Sequence, residues 1–124
     1  MASQLKITTL SNLAGTESVN TTYVVNGSAK AWAKYQGSGT VAFNDSLGCA
    51  SISDNGTGLY SVTLTNAFSS SNYATAGEDS AGEMFIENAA AHTTTTFNTT
   101  HTNATGGSFQ DPANISVILM GDLA

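Results

Sequence analysis

Gly27-Ser28-Ala29-Lys30-Ala31-Trp32-Ala33-Lys34-Tyr35-Gln36-Gly37-Ser38-Gly39-Thr40-Val41-Ala42-Phe43, followed by Ser51-Ile52-Ser53-Asp54-Asn55-Gly56-Thr57-Gly58-Leu59-Tyr60, is the part of the chain that decides the fold. In the first run Ala29, Ala31, Ala33 and Tyr35 alternate with Lys30, Trp32 and Lys34. A period of two puts these sets on opposite faces of a β-strand. Gly37-Ser38-Gly39 then turns the chain into Val41-Ala42-Phe43. In the second run a five-residue loop, Asp54 to Gly58, carries two glycines between β-patterned segments, Ala50 to Ser53 and Leu59 to Thr65. That arrangement signals a β-hairpin.

The flanks read in the same way. Upstream, Leu5-Lys6-Ile7 is a short alternating piece, read as an arm or edge strand. Tyr23-Val24-Val25 reads as a strand ended by Asn26-Gly27. Downstream, Tyr73 to Ala76 and Met84-Phe85-Ile86 read as strands around an acidic loop, Glu78 to Glu83. The threonine-rich tract His92 to Thr102 is low in complexity, but threonine is β-branched and favours strand. Only Asn88 to Ala91 hints at helix. Ile115-Ser116-Val117-Ile118-Leu119-Met120 closes the fold, and its apolar residues on both faces predict burial on both sides. Eight to ten short strands with frequent turns imply an all-β chain, a β-sandwich or jelly-roll-like single domain. Residues 1–21 are read as the arm and 22–124 as the module.

Composition bears on assembly. Leu, Ile, Val and Phe make up 24 of 124 residues, against 56 Ser, Thr, Asn and Gly. A small domain with so thin an apolar supply is marginal alone. Cys49 has no cysteine partner, so no internal disulfide compensates. Oligomerisation is the remaining common route to stability, so the chain is expected to be an obligate oligomer. There are three lysines, no arginine and nine acidic residues, for a net charge of −6. No basic stripe exists to release counterions from phosphates, which argues against nucleic acid. A polybasic membrane contact fails for the same reason, and neither a signal peptide nor an apolar span is visible. Cys49 is read as a small buried hydrophobe.

Several segments together resemble a module of tail-fibre and other virion-surface proteins of tailed bacteriophages. Thr22 to Trp32 resembles its opening, and Gly37-Ser38-Gly39-Thr40-Val41-Ala42 its first turn. Ser51 to Tyr60 resembles its second turn, and Ser71-Asn72-Tyr73 falls where the family has an Asn-Tyr pair. Ser116 to Ala124 is similar to its closing strand. The family commonly has a bulkier apolar residue at Ala33 and Asn and Phe at Lys34 and Tyr35, and the threonine-rich tract has no counterpart. The resemblance implies a homotrimeric, non-enzymatic component of the virion, assembled in a host cytoplasm. With few residues ahead of the module, it would be a short fibre, spike or capsid-decorating (cement) subunit contacting other capsid or tail proteins.

Candidate contact residues follow. The two chain ends, Leu5 and Ile7 together with Ile115, Val117, Ile118, Leu119 and Met120, are expected to supply burial between subunits. Trp32 has two readings: a side chain packed in the core or between subunits, or an exposed aromatic that, with Tyr35, contacts a host surface glycan. Catalytic chemistry is weakly signalled. Glu78, Asp79, Glu83 and Glu87 cluster in sequence, and paired carboxylates serve glycoside hydrolysis, but a solvated acidic loop is the simpler reading. The EF-hand spacing for calcium is absent. His92 and His101 form no His-x-His pair, although one imidazole per subunit near a trimer axis would present three to a metal. No Gly-x-Ser-x-Gly elbow or phosphate-binding glycine loop occurs. No cofactor, metal or catalytic residue is therefore assigned. The functions expected are a structural virion subunit first, a host-glycan binder second and a glycan-cleaving spike third.

Overall fold

The computed structural model describes residues 4–80, the backbone of 84–87, and residues 92–103, 105 and 107–124. The chain is mostly β, with several antiparallel sheets and one short helix. A small hairpin comes first, β1 (Thr9–Ser11) and β2 (Ser18–Asn20), followed directly by α1 (Thr21–Gly27). Eight strands follow: β3 (Ala29–Gln36), β4 (Ala42–Leu47), β5 (Cys49–Asp54), β6 (Leu59–Leu64), β7 (Ala74–Asp79), β8 (Met84–Glu87), β9 (Thr96–Thr102) and β10 (Ile115–Met120). They form two antiparallel four-stranded sheets, ordered β4-β3-β10-β7 and β5-β6-β9-β8.

The alternation in β3 is realised as its sequence reads. Ala31, Ala33 and Tyr35 are buried, while Lys30, Trp32 and Lys34 lie on the outer side. The facing sheet contributes Tyr60, Val62 and Leu64 from β6 and Phe97 from β9. These join Ile115, Val117 and Leu119 of β10 in one core between the sheets. The hairpin β5–β6 turns at Asn55 to Gly58, where Leu59 N–H donates to the Gly56 carbonyl at 2.8 Å. The threonine-rich tract supplies β9, whose Phe97, Thr99 and His101 point inward. At one end of the core Phe68, Tyr73 and His92 stack in series, with ring centroids 4.4 and 5.5 Å apart. Aromatic packing thus stands in for the missing aliphatic bulk.

Three expectations need correction. Tyr23 to Val25 is helical, because the Asn20 side chain accepts from Thr22 N–H at 2.8 Å and caps a helix start that β-branched residues alone disfavour. Leu5 to Ile7, read as an arm or edge strand, pairs with no strand, which removes the edge-strand alternative; the hairpin forms further on, where the Asn12 side chain accepts from Thr16 N–H at 3.0 Å and Gly15 takes a positive φ of 69°. The last strand, β10, is buried on one face only, leaving Ile118 45% exposed. The helical hint at Asn88 to Ala91 lies outside the described residues.

One glycine has an architectural role that the hairpin reading does not reveal. Gly48 alone separates β4 from β5, and at it the chain leaves one sheet for the other. Its φ is +70°, and a Cβ there would lie 2.6 Å from the Lys30 carbonyl oxygen. Gly39 has a similar φ of +74° with open space around it. Positive φ alone costs a non-glycine residue about 1–2 kcal/mol. Gly39→Ala is expected to lose about that much stability, and Gly48→Ala clearly more, because backbone must also move. Urea unfolding midpoints of the two variants measure the difference; equal losses would refute a structural role for the Gly48 crossing.

Candidate functional site

The inner faces bring together a hydrogen-bonded chain that spans both sheets. Asp79 on β7 and Tyr35 on β3 belong to one sheet, Thr99 and His101 on β9 to the other. His101 Nδ1 lies 3.2 Å from Asp79 Oδ2, and both side chains are fully buried. His101 Nε2 is 3.2 Å from Thr99 Oγ1, and Thr99 Oγ1 is 2.9 Å from Tyr35 Oη. One order of donors satisfies a neutral imidazole beside a carboxylate. Tyr35 donates to Thr99, Thr99 donates to Nε2, and Nδ1–H donates to Asp79. Burial holds the His101 pKa below its ordinary value, although Asp79 pulls the other way. Tyr60 packs edge-on against Tyr35 and tilted on His101, each with ring centroids 5.7 Å apart. Its hydroxyl donates to Asp111 at 2.8 Å, and the same carboxylate oxygen accepts from Gly58 N–H at 2.7 Å.

An Asp-His-Thr series has the order of an acid–base–nucleophile relay. Here, however, Thr99 is 2% exposed and His101 0%, and the hydroxyl is already bonded to Tyr35. The hydroxyl is closed to solvent, and the series ties two sheets together. Burial likewise raises the phenols of Tyr35 and Tyr60, and it pushes the Cys49 thiol up to about 11, which disfavours the reactive thiolate. Cys49 is half-buried against the core, with its sulfur 3.5 Å from the Trp32 and Leu47 carbonyl oxygens.

The outer faces of the two sheets differ. On the β5-β6-β9 face the register aligns Ser51 with Thr63 and Thr96, and Ser53 with Ser61 and Asn98. The Ser61 hydroxyl donates to Asn98 Oδ1 there, so this face is polar. On the other sheet the register lines up Leu47, Trp32, Ile118 and Ala76, one from each strand. Leu47 is 55% exposed and Ile118 45%. The adjacent row reads Asp45, Lys34, Ser116 and Glu78. An apolar band therefore crosses the whole sheet beside a charged row. A groove of about 280 Å³ opens along that row beside Lys34, Glu78, Asn114 and Ser116.

Residues 4–28 form a second uncovered surface. Leu5, Leu10, Leu13, Val19, Tyr23 and Val25 are all exposed, and α1 buries none of its residues. The β1–β2 hairpin pairs with neither four-stranded sheet. A groove of about 770 Å³ runs between Leu5, Ile7, Thr21 and Val25. Clustered apolar exposure of this kind marks contact surfaces, whereas scattered exposed leucines do not.

The candidates named from sequence are divided by this geometry. Leu5 and Ile7 are exposed, and Ile118 and Met120 face outward. Ile115, Val117 and Leu119 are buried in their own chain's core, so they are not available to a neighbour. Tyr35 is 0% exposed and cannot touch a glycan. Trp32 is half-buried in the outer band. Glu78 faces outward and Asp79 inward, because neighbours in a strand take opposite faces, so they form no catalytic pair. Glu83 and the Glu87 side chain lie outside the described residues. His92 and His101 are both buried within the chain and present nothing to a symmetry axis. Among the described residues no group of three or more His, Cys, Asp or Glu is placed to hold a metal, and no helix is long and apolar enough to cross a membrane. Sequence reasoning missed the His101–Asp79 link and Leu47. The spacing Phe97-x-Thr99-x-His101 carries the first, since three alternate residues share one face.

Comparison with protein families, with curated proteins and with solved structures finds no match.

Because His101 is held below its unfolded pKa, near 6.5, the unfolded chain takes up a proton that the folded chain refuses. Stability from this site is complete above that pH and falls as pH drops from about 6.5 toward the folded value. Urea unfolding between pH 8 and 5 is expected to show the decline. A variant such as His101→Gln, less stable at neutral pH, is expected to lose this part of the slope. An identical slope in both proteins would show that His101 does not carry it.

Proposed function

We propose that this chain is a non-enzymatic structural subunit of a virus particle surface: a β-sandwich module, assembled as a homotrimer and attached as a fibre, spike or capsid-decorating subunit. One observation supports this reading above the others. Among the described residues the chain leaves as many large apolar side chains exposed as it buries apolar residues in its core, twelve against twelve, and eight of those exposed lie before β3. At ~25 cal/mol per Å² of apolar area, covering even part of that surface contributes several kcal/mol. A thin core benefits from such cover, and assembled particles supply it. The resemblance of Thr22 to Ala124 to phage fibre modules supports the same reading from sequence. The polar chemistry of the chain supports it too, since the Asp79–His101–Thr99 series is buried inside.

Native mass spectrometry and sedimentation of the purified chain test the assembly. A species three times the 12.7 kDa chain mass is expected. A folded monomer at micromolar concentration would overturn the proposal.

Host-glycan recognition is a second reading, supported by the position of Trp32 on the outer face beside the groove at Lys34, Glu78, Asn114 and Ser116. An aromatic face next to polar groups suits a sugar ring. On this reading Trp32→Ala abolishes binding on a glycan array while circular dichroism stays unchanged. Absence of any wild-type binding removes the reading.

A further inference from the structure

We infer that the outer face of the β4-β3-β10-β7 sheet is covered by the N-terminal unit, residues 4–28, of a second copy of this chain. This rests on the assembly proposed above and names the occupant of its contact surface.

Each copy carries two uncovered apolar surfaces of different kinds. One is the hairpin and α1, with the groove at Leu5, Ile7 and Val25. The other is the band Leu47, Trp32, Ile118 and Ala76, which spans all four strands. The first has no strand pairing with either large sheet. Its helix end is tied to the start of β3. Only Ser28 separates α1 from β3, and its backbone is extended, with φ −81° and ψ 148°. The Lys30 ammonium donates to the Val25 and Ser28 carbonyl oxygens, which fixes the helix end at the start of β3. With Leu5, Tyr23 and Val25 exposed in the unit and Leu47 and Ile118 exposed in the band, the unit does not cover its own band.

Charge agrees with this placement. The row beside the band carries Asp45 and Glu78 around the single Lys34, leaving one negative charge without a lysine in the row. Lys6 lies between Leu5 and Ile7 at the margin of the N-terminal groove. An N-terminal unit laid along the band brings that lysine to the acidic row. Apart from Leu59, the described outer residues paired across β5, β6 and β9 are Ser, Thr and Asn, so that face offers no comparable apolar row among the described residues.

Joining two different patches of the same chain is a heterologous contact, and such contacts close into rings when the rotation allows. One exchange per copy then covers both surfaces of every copy, with neither left over.

The test uses full-length chains in a Cys49→Ser background, one carrying Leu5→Cys and one carrying Ile118→Cys. Both positions are exposed, so folding is preserved. The two variants are mixed under exchange conditions and treated with a short bis-maleimide. Covalent dimers that form in the mixture and in neither variant alone are expected. Dimers that form only between like positions overturn the inference, as does a Leu5→Cys/Ile118→Cys chain that links within itself at high dilution. A wild-type trimer that yields no Leu5–Ile118 link overturns it too while leaving the assembly proposal standing. A wild-type monomer in sedimentation removes both.

Discussion

Tyr35, Thr99, His101 and Asp79 form the constraint on which the remaining arrangement depends. In a core this short of aliphatic bulk, the two sheets are held by packed aromatic rings and by this series of hydrogen bonds between them. A buried polar series is favourable only when complete, since each orphaned group costs its full desolvation. Completion requires β3 and β7 on one sheet to meet β9 on the other at fixed positions. A one-residue slip in any of them would turn the inward groups out to solvent. The same registers fix the outer face. With Tyr35 and Asp79 inside, Lys34 and Glu78 must lie outside in one row, and Trp32 and Ala76 in the next.

That coupling explains how a chain dominated by Ser, Thr, Asn and Gly specifies one structure. Hydrophobic pattern alone would place β9 weakly, because its inward residues after Phe97 are Thr99 and His101. Their partners are what pin it. Asp111 performs a similar service at the mouth of the β5–β6 hairpin, where one carboxylate oxygen accepts from both Tyr60 and Gly58. Gly58 itself tolerates no side chain, since a Cβ there would sit 2.4 Å from the His101 carbonyl oxygen.

Much of this was legible in the residues, and the rest was hidden for definable reasons. Strict alternation in Ala29 to Gln36 gave β3 and its facing directly, and two glycines after Asp54 gave the β5–β6 hairpin. The bounds of β10 were legible but its facing was not. Six residues with apolar side chains on both sides do not say whether the outer ones meet this chain or another. Local capping decided against the strand reading of Tyr23 to Val25, a case where one side-chain bond from Asn20 outweighs the propensity of two valines. The sheet change at Gly48 was invisible because a lone glycine between two strands reads equally well as a tight hairpin. As for the site, the residues singled out from sequence divide by facing: Leu5, Ile7 and Ile118 are exposed, and Trp32 is half-buried on the outer face. Sequence reasoning pooled inward and outward residues of one strand, because burial in a single chain and burial between chains leave the same apolar signature.

The distribution of chemistry over the molecule bears on the proposed function. Among the described residues, the His101 imidazole is buried and bonded on both nitrogens with its pKa lowered by burial, the hydroxyl next to it is engaged, and the Cys49 thiol is pushed up by burial. The outside is divided between a hydroxyl-covered face suited to water and an apolar band with an exposed N-terminal unit suited to protein. A monomeric enzyme places its reactive groups in a concave, accessible site and its apolar groups in the core. Here the acid–histidine–hydroxyl series is buried, and large apolar side chains lie on the surface as well as in the core. This distribution is what motivates the proposal of a building block, with a polar series fixing the interior and apolar groups left on the exterior for a neighbour to cover.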